Sequence, residues 1–198
     1  ERIGLIDDAG ELSVAELDRE ADRLANAFRA RGISDGACFG LLCRNHRFAL
    51  LAIFAAARSG ARTVYLNTSF AAPQVRDVAA REGITAVVCD EDLLGLLDET
   101  PLRDDAIVGW GEGATTVTGL IESASDDPPP KPAERGGIVL LTSGTTGTPK
   151  GAQRSEPRSM VIPASLLERM PFQAEEVTAI CAPLFHATGF AMTVLQVG

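Results

Sequence analysis

Strand-like and helix-like segments alternate through the first half of the chain, and that alternation constrains the fold more than any other feature. The runs Ala37–Cys43, Thr63–Leu66, Ile84–Cys89 and Ala106–Val108 are short, apolar and rich in branched residues. Between them lie segments with helical spacing. Ser13 followed by Glu16 makes a capping box, and Leu17, Ala21, Leu24 and Phe28 share one face of a helix ending at Gly32. His46 to Ser59 is apolar nearly all round, so it is expected to be covered on several sides, with Gly60 stopping it. Pro73 opens the next helix, which runs to Gly83, and Asp90 is placed to cap a short one through Leu97. Such alternation predicts an α/β fold: a mostly parallel sheet built by βαβ crossovers and covered by helices on both faces. Ligand sites in sheets of this kind lie outside the carboxyl ends of the strands.

The stretch 122–135 breaks the rhythm. Asp126-Asp127-Pro128-Pro129-Pro130-Lys131-Pro132 is acidic, stiff and extended, and reads as a linker. It divides an α/β lobe (1–121) from a segment (136–198) that carries the next motif and ends within an architecture rather than at a stop signal. In that segment a helix is expected from about Pro157 to Met170, kinked at Pro163, then a strand at Val177–Cys181. The start, Glu1-Arg2-Ile3-Gly4, has neither an initiator methionine nor a signal-peptide layout, so the chain reads as the N-terminal piece of something longer.

Chemistry concentrates in Leu141-Thr142-Ser143-Gly144-Thr145-Thr146-Gly147-Thr148-Pro149-Lys150-Gly151, directly after the apolar run Ile138–Leu141. Glycines let backbone N–H groups turn inward, hydroxyls donate further hydrogen bonds, and a lysine adds a point charge; together they suit a polyphosphate. A Walker A loop is excluded, because Pro149 precedes the lysine and disfavours helix at Thr148. The expectation is a loop joining two strands, with extended chain resuming at Gly151.

That run resembles the phosphate-binding signature of the adenylate-forming enzymes: acyl-CoA synthetases, luciferases and peptide-synthetase adenylation domains. Ala182-Pro183-Leu184-Phe185-His186-Ala187-Thr188-Gly189-Phe190 is similar to the family's Pro-Leu-Phe-His segment. Leu12-Ser13-Val14-Ala15-Glu16-Leu17 and Gly40-Leu41-Leu42-Cys43-Arg44-Asn45 are weaker matches in the same order. The resemblance implies the layered N-terminal domain of such an enzyme. It implies that Thr142, Ser143, Gly144, Thr145, Thr146, Gly147 and Lys150 hold the phosphates of ATP, with Thr148, Pro149 and Gly151 completing the loop. Thr142 would help place Mg²⁺. His186 would lie at the edge of the nucleotide and acyl sites and gate access to them, rather than act as a general base. The implied activity is that of a fatty acid–CoA ligase: ATP activates the carboxylate as an acyl-adenylate, and coenzyme A takes the acyl group. An aryl-acid ligase, a peptide-synthetase adenylation domain and a non-catalytic nucleotide-binding module are the rival readings. The family's C-terminal catalytic lysine has no counterpart, because Lys131 and Lys150 are the only lysines. The 198 residues alone are therefore expected to be inactive.

The remaining sequence narrows partners. A net charge of −9 argues against a broad nucleic-acid footprint. Cys38, Cys43, Cys89 and Cys181 show no metal or disulfide spacing, a pattern that suits a reducing cytoplasm. Phe48 to Ala57 is too short to span a bilayer. His46 and Asn67 are given no site role. Asn45, like Asn67, is read as capping the turn after a strand. Self-association through 189–198 is expected if apolar area there is left bare.

Overall fold

The computed structural model describes residues 2–142, 150–154 and 176–197. The chain opens with an antiparallel hairpin, β1 (Ile3–Asp7) and β2 (Gly10–Ser13), which the alternation did not reveal. Helix α1 (Val14–Ala30) follows at once. Ser13 accepts from the Glu16 backbone N–H at 3.2 Å, and the Glu16 carboxylate accepts from Ser13 N at 2.8 Å. This is the reciprocal capping box expected from the sequence. Leu17, Ala21, Leu24 and Phe28 are buried on its inner face.

Among the described residues the main sheet has six strands in the order β6-β5-β3-β4-β7-β8. These are β3 (Cys38–Leu42), β4 (Arg62–Tyr65), β5 (Ala86–Cys89), β6 (Ile107–Val108), β7 (Ile138–Thr142) and β8 (Lys150–Arg154). The first five in that order run parallel, and β8 pairs antiparallel with β7. Side chains alternate across the sheet with period two. Phe39, Leu41, Tyr65, Val88, Ile107 and Leu140 point into one core layer; Cys38, Leu42, Val64, Val87, Cys89 and Val139 point into the other.

Connections follow the twist of the sheet. α2 (Arg47–Ser59) leads from β3 to β4, and α4 (Val117–Ser123) leads from β6 towards β7. Both lie on the first face with α1, and both travel towards β7. α3 (Ala72–Glu82) and the 3-10 helix Glu91–Leu97 lie on the second face and travel the other way, towards β6. Opposite directions on opposite faces are what one handedness of crossover demands. α2 is apolar all round because it is sandwiched between α1 and the sheet.

The proline-rich stretch lies against α1. Arg23 pairs with Asp126, Asn26 donates to the carbonyls of Ser125 and Asp127 (3.2 and 2.8 Å), and Arg29 donates to that of Pro130 (3.0 Å). Its first two residues belong to α4. β7 then enters the same sheet as β4, so the sheet is continuous across this stretch.

Val177–Cys181, where the composition suggests a strand, joins no ladder among the described residues. The carbonyl of Ile180 within it accepts from the side chain of Asn45. The 189–198 region expected to be bare apolar chain lies largely within helix α5 (Ala187–Val197). The expected helix at 157–170 falls outside the described residues.

Candidate functional site

Parallel pairing puts the carboxyl ends of β6, β5, β3, β4 and β7 on one edge of the sheet. Thr142 ends β7 there, and its register partner Lys150 begins β8. Ser143, Gly144, Thr145, Thr146, Gly147, Thr148 and Pro149, the loop between them, fall outside the described residues. Thr142, Lys150 and Gly151 are thus in two antiparallel strands, the loop between strands that the sequence implied, and extended chain resumes at Lys150.

The chain that leaves β3 turns towards β7 on the first face, and the chain that leaves β5 turns towards β6 on the second. These adjacent strands therefore make the topological switch point, where doubly wound sheets open a crevice. Here that crevice is a cleft of about 220 Å³ bordered by Asp7, Arg44, Asn45, His46, Asp90 and Trp110. It falls below the roughly 300–1,000 Å³ typical of cofactor sites, so it does not by itself accommodate a nucleotide.

Within the cleft, His46 does two jobs. Its Nδ1 accepts from Ala49 N at 3.2 Å and caps α2. That leaves the ring proton on Nε2, donated to Asp90 Oδ1 at 2.8 Å. Asp90 Oδ2 accepts from the Arg44 backbone N–H at 2.9 Å. Asp90 was expected to cap the following short helix; instead its side chain faces back across the switch point and makes no cap bond. Burial alone would raise its pKa, but the hydrogen bonds from His46 and the Arg44 backbone outweigh burial and hold the carboxyl below its usual value. Trp110 and Phe48 pack around the imidazole with ring centroids at 5.3 and 6.0 Å.

Cys43, His46 and Asp90 offer ligand atoms within 4.8 Å of one another. Burial pushes the Cys43 thiol well above its usual pKa, and its Sγ contacts the Val88 carbonyl at 3.6 Å. With the His46 Nε2–H donating to Asp90, this trio is satisfied by its own contacts. Cys38 and Cys89 are likewise buried, and Cys181 is exposed.

His186 stands immediately before α5, exposed, with its ring against Phe185 at 4.9 Å. Its N–H donates to the Pro183 carbonyl at 3.0 Å, and its carbonyl accepts from Phe190 N at 2.9 Å. Leu184 is buried beside it, and Phe185 packs on the same core layer. Phe190 reaches Tyr65 at the end of β4, ring centroids 5.5 Å apart. Gly189 is tight: a Cβ there would fall on the carbonyl oxygens of Pro183 and Ala182. The sequence reading missed the partner of this segment. Asn45 Nδ2 donates to the carbonyls of Ile180 (3.2 Å) and Ala182 (2.9 Å), and its Oδ1 accepts from Leu184 N at 2.9 Å. Asn45 therefore bridges to a segment far along the chain rather than capping its own turn. Asn67 does cap its turn, accepting from Ser69 N at 2.8 Å. One signal could have found Asn45, His46 and Asp90: each stands in the few residues after a parallel strand, at the edge where such folds place chemistry.

No helix among the described residues is long and apolar enough to cross a membrane. The family model of the AMP-binding enzymes matches residues 1–198. A feruloyl-CoA synthase from an Amycolatopsis species is 30% identical over 188 residues, 93% of this chain and 36% of that protein. A long-chain-fatty-acid–CoA ligase from Mycobacterium tuberculosis is 26% identical over 192 residues, 93% of this chain and 38% of that protein. The chain thus spans somewhat over a third of the length of these relatives. Among solved structures, o-succinylbenzoate CoA synthetase from Bacillus subtilis, in complex with its acyl-adenylate intermediate, superposes with a TM-score of 0.81 over 100% of this chain and 39% of that one. At 22% identity that likeness concerns the fold. With its parallel sheet, its β7–β8 hairpin and a family match along its whole length, this chain belongs to the AMP-binding enzymes, the adenylate-forming family.

Proposed function

We propose that the protein carrying this chain is an ATP-dependent acid–thiol ligase that makes acyl-CoA. The observation that carries the proposal is the β7–β8 hairpin. Thr142 and Lys150 face each other in register at the carboxyl edge of the parallel sheet, flanking the hydroxyl- and glycine-rich run. The segment bearing His186 is tied to the same edge, at Asn45.

In the proposed reaction a substrate carboxylate oxygen attacks the α-phosphorus of ATP. A C–O–P linkage forms and pyrophosphate leaves. The coenzyme A thiol then attacks the acyl carbon, and AMP departs. The run Thr142–Gly151 is assigned to the β- and γ-phosphates, where backbone N–H groups and hydroxyls offset negative charge and Lys150 adds a full positive one. The Thr142 hydroxyl, a hard oxygen donor, suits Mg²⁺ carried on the phosphates. His186 is assigned to the mouth of the acyl site, where its exposure and its aromatic neighbour Phe185 fit a gating role.

We assign the substrate to carboxylic acids with an apolar body. Fatty acids are one arm of that class and aryl acids the other, since relatives act on feruloyl and on long-chain acyl groups at 30% and 26% identity. The test is ATP–pyrophosphate exchange by the complete reading frame against a panel of aliphatic, aryl and amino acids. Exchange dependent on an aliphatic or aryl acid is expected; exchange with amino acids only, or none, rejects the assignment. Lys150→Ala is expected to lower kcat/KM for ATP by about 10- to 100-fold, the loss typical of one charged phosphate contact.

A further inference from the structure

The crevice at the β3–β5 switch point is where a doubly wound sheet ordinarily takes a ligand. In this chain the first residue to present a side-chain amide there, Asn45, is committed to another part of the polypeptide. Its donors and acceptor meet Ile180 O, Ala182 O and Leu184 N, and only one orientation of the amide satisfies all three. The segment held in this way, 180–184, lies in no ladder among the described residues. Two residues beyond the clamp comes His186, and α5 starts directly after it. Asn45 is itself fixed, because its neighbours on both sides are tied to Asp90: Arg44 through its backbone N–H and His46 through Nε2. A rigid chain of bonds therefore runs from Asp90 at the end of β5, through the 44–46 turn, to the His186 segment.

We propose that Asn45 is a positioning residue for the ligase reaction. Its side-chain amide, beyond the end of β3, sets where the His186 segment stands on the carboxyl edge. The inference rests on the function proposed above. Asn45 need not touch substrate. It acts by holding the main chain that carries His186, and misplacement of a site group by about 1 Å can cost on the order of 100-fold in rate.

The test uses the complete protein and a double-mutant cycle in ATP–pyrophosphate exchange. Asn45→Ala is expected to lower kcat on the order of 10-fold while leaving KM for ATP within about 2-fold. In a His186→Ala background the same change is expected to cost less than about 2-fold, since the residue being positioned is gone. Asn45→Asp, which keeps an acceptor for Leu184 N but turns a carboxylate oxygen on the Ile180 and Ala182 carbonyls, is expected to lose kcat at least as far as Ala, and it serves if the Ala variant does not fold. Hydrogen exchange at the Leu184 amide is expected to speed up in Asn45→Ala, which removes its acceptor. Wild-type kcat in Asn45→Ala, a loss that multiplies fully with that of His186→Ala, or an unchanged Leu184 amide each overturns the proposal alone. Absence of acid-dependent exchange in the wild-type protein overturns the ligase reading, and the positioning role with it.

Discussion

Two aspartates near the switch point are held ionised by different neighbours, and each makes folding sensitive to acid. Asp7 lies at the end of β1 and pairs with Arg47 at the start of α2: Nη2–Oδ1 is 2.6 Å, and the Arg47 backbone N–H reaches Oδ2 at 2.9 Å. Burial would raise the Asp7 pKa, but the side-chain and backbone hydrogen bonds from Arg47 outweigh it, so the value is lowered from 3.8. Asp90 is lowered in the same sense by His46 and the Arg44 N–H. A carboxylate whose folded pKa is depressed contributes stability that is present above its unfolded pKa. That stability is lost as pH falls through the folded value. Melting temperature is therefore expected to hold from neutral pH down to the ordinary carboxylate range and to drop below it. Asp7→Asn should make the drop shallower; an equally steep acid limb in that variant would dismiss the Arg47 pair as its source. His46→Ala removes a helix cap and a hydrogen bond to a buried carboxylate together, an expected loss of about 3 kcal/mol in urea unfolding. His46→Asn, which keeps a capping oxygen, should recover about 1 kcal/mol of it.

At the scale of elements, Gly189 decides how α5 meets the segment before it. The first turn of α5 packs directly on the backbone of Ala182 and Pro183, with no room for a Cβ. Gly189→Ala is expected to push that turn off the segment and to cost about 1–3 kcal/mol, the usual range for overpacking. If its thermal unfolding midpoint matches wild type, the close approach is absent in solution. This contact also shows what a sequence can and cannot display. α1 and α2 were legible because their spacing and caps are local: Ser13 with Glu16, and an apolar stretch closed by Gly60 in the left-handed region. The β1–β2 hairpin was not, because its strands are short and β1 is only partly buried, so neither shows clean alternation. α4, at seven residues, is under two helical turns. Val177–Cys181 has strand-like composition, yet strand identity needs a ladder partner, and among the described residues it has none; its Ile180 carbonyl meets the Asn45 side chain. The Asn45 clamp and the His46–Asp90 bond join residues 44 to 139 positions apart, a separation no local pattern encodes. The glycine–threonine run stands out because its hydroxyls, glycines and lysine are concentrated in consecutive residues, a pattern that needs no distant partner to be read.

Across the whole molecule, the sheet's edges and its exposed apolar residues set how copies of this chain meet. Among the described residues one edge is β6, only two residues long; the other is β8, whose sequence Lys150-Gly151-Ala152-Gln153-Arg154 is rich in cationic and small residues. Short and charged edges resist strand addition. That geometry argues against strand addition between copies, and 187–197 is helical rather than extended. What remains for association is α5. It contains no charged residue, and Val194 on it is 51% exposed. Burying such area gains roughly 25 cal/mol per Å², enough to draw copies together at high concentration when several side chains take part. The 198-residue chain is therefore expected to show a light-scattering mass that rises with concentration. Val194→Lys should return it towards the monomer value of 20.8 kDa without lowering the melting temperature. A variant that associates as strongly as wild type would move the contact away from α5; the exposed Ile3, Ile6 and Val14 of the N-terminal hairpin region would then be the next surface to alter.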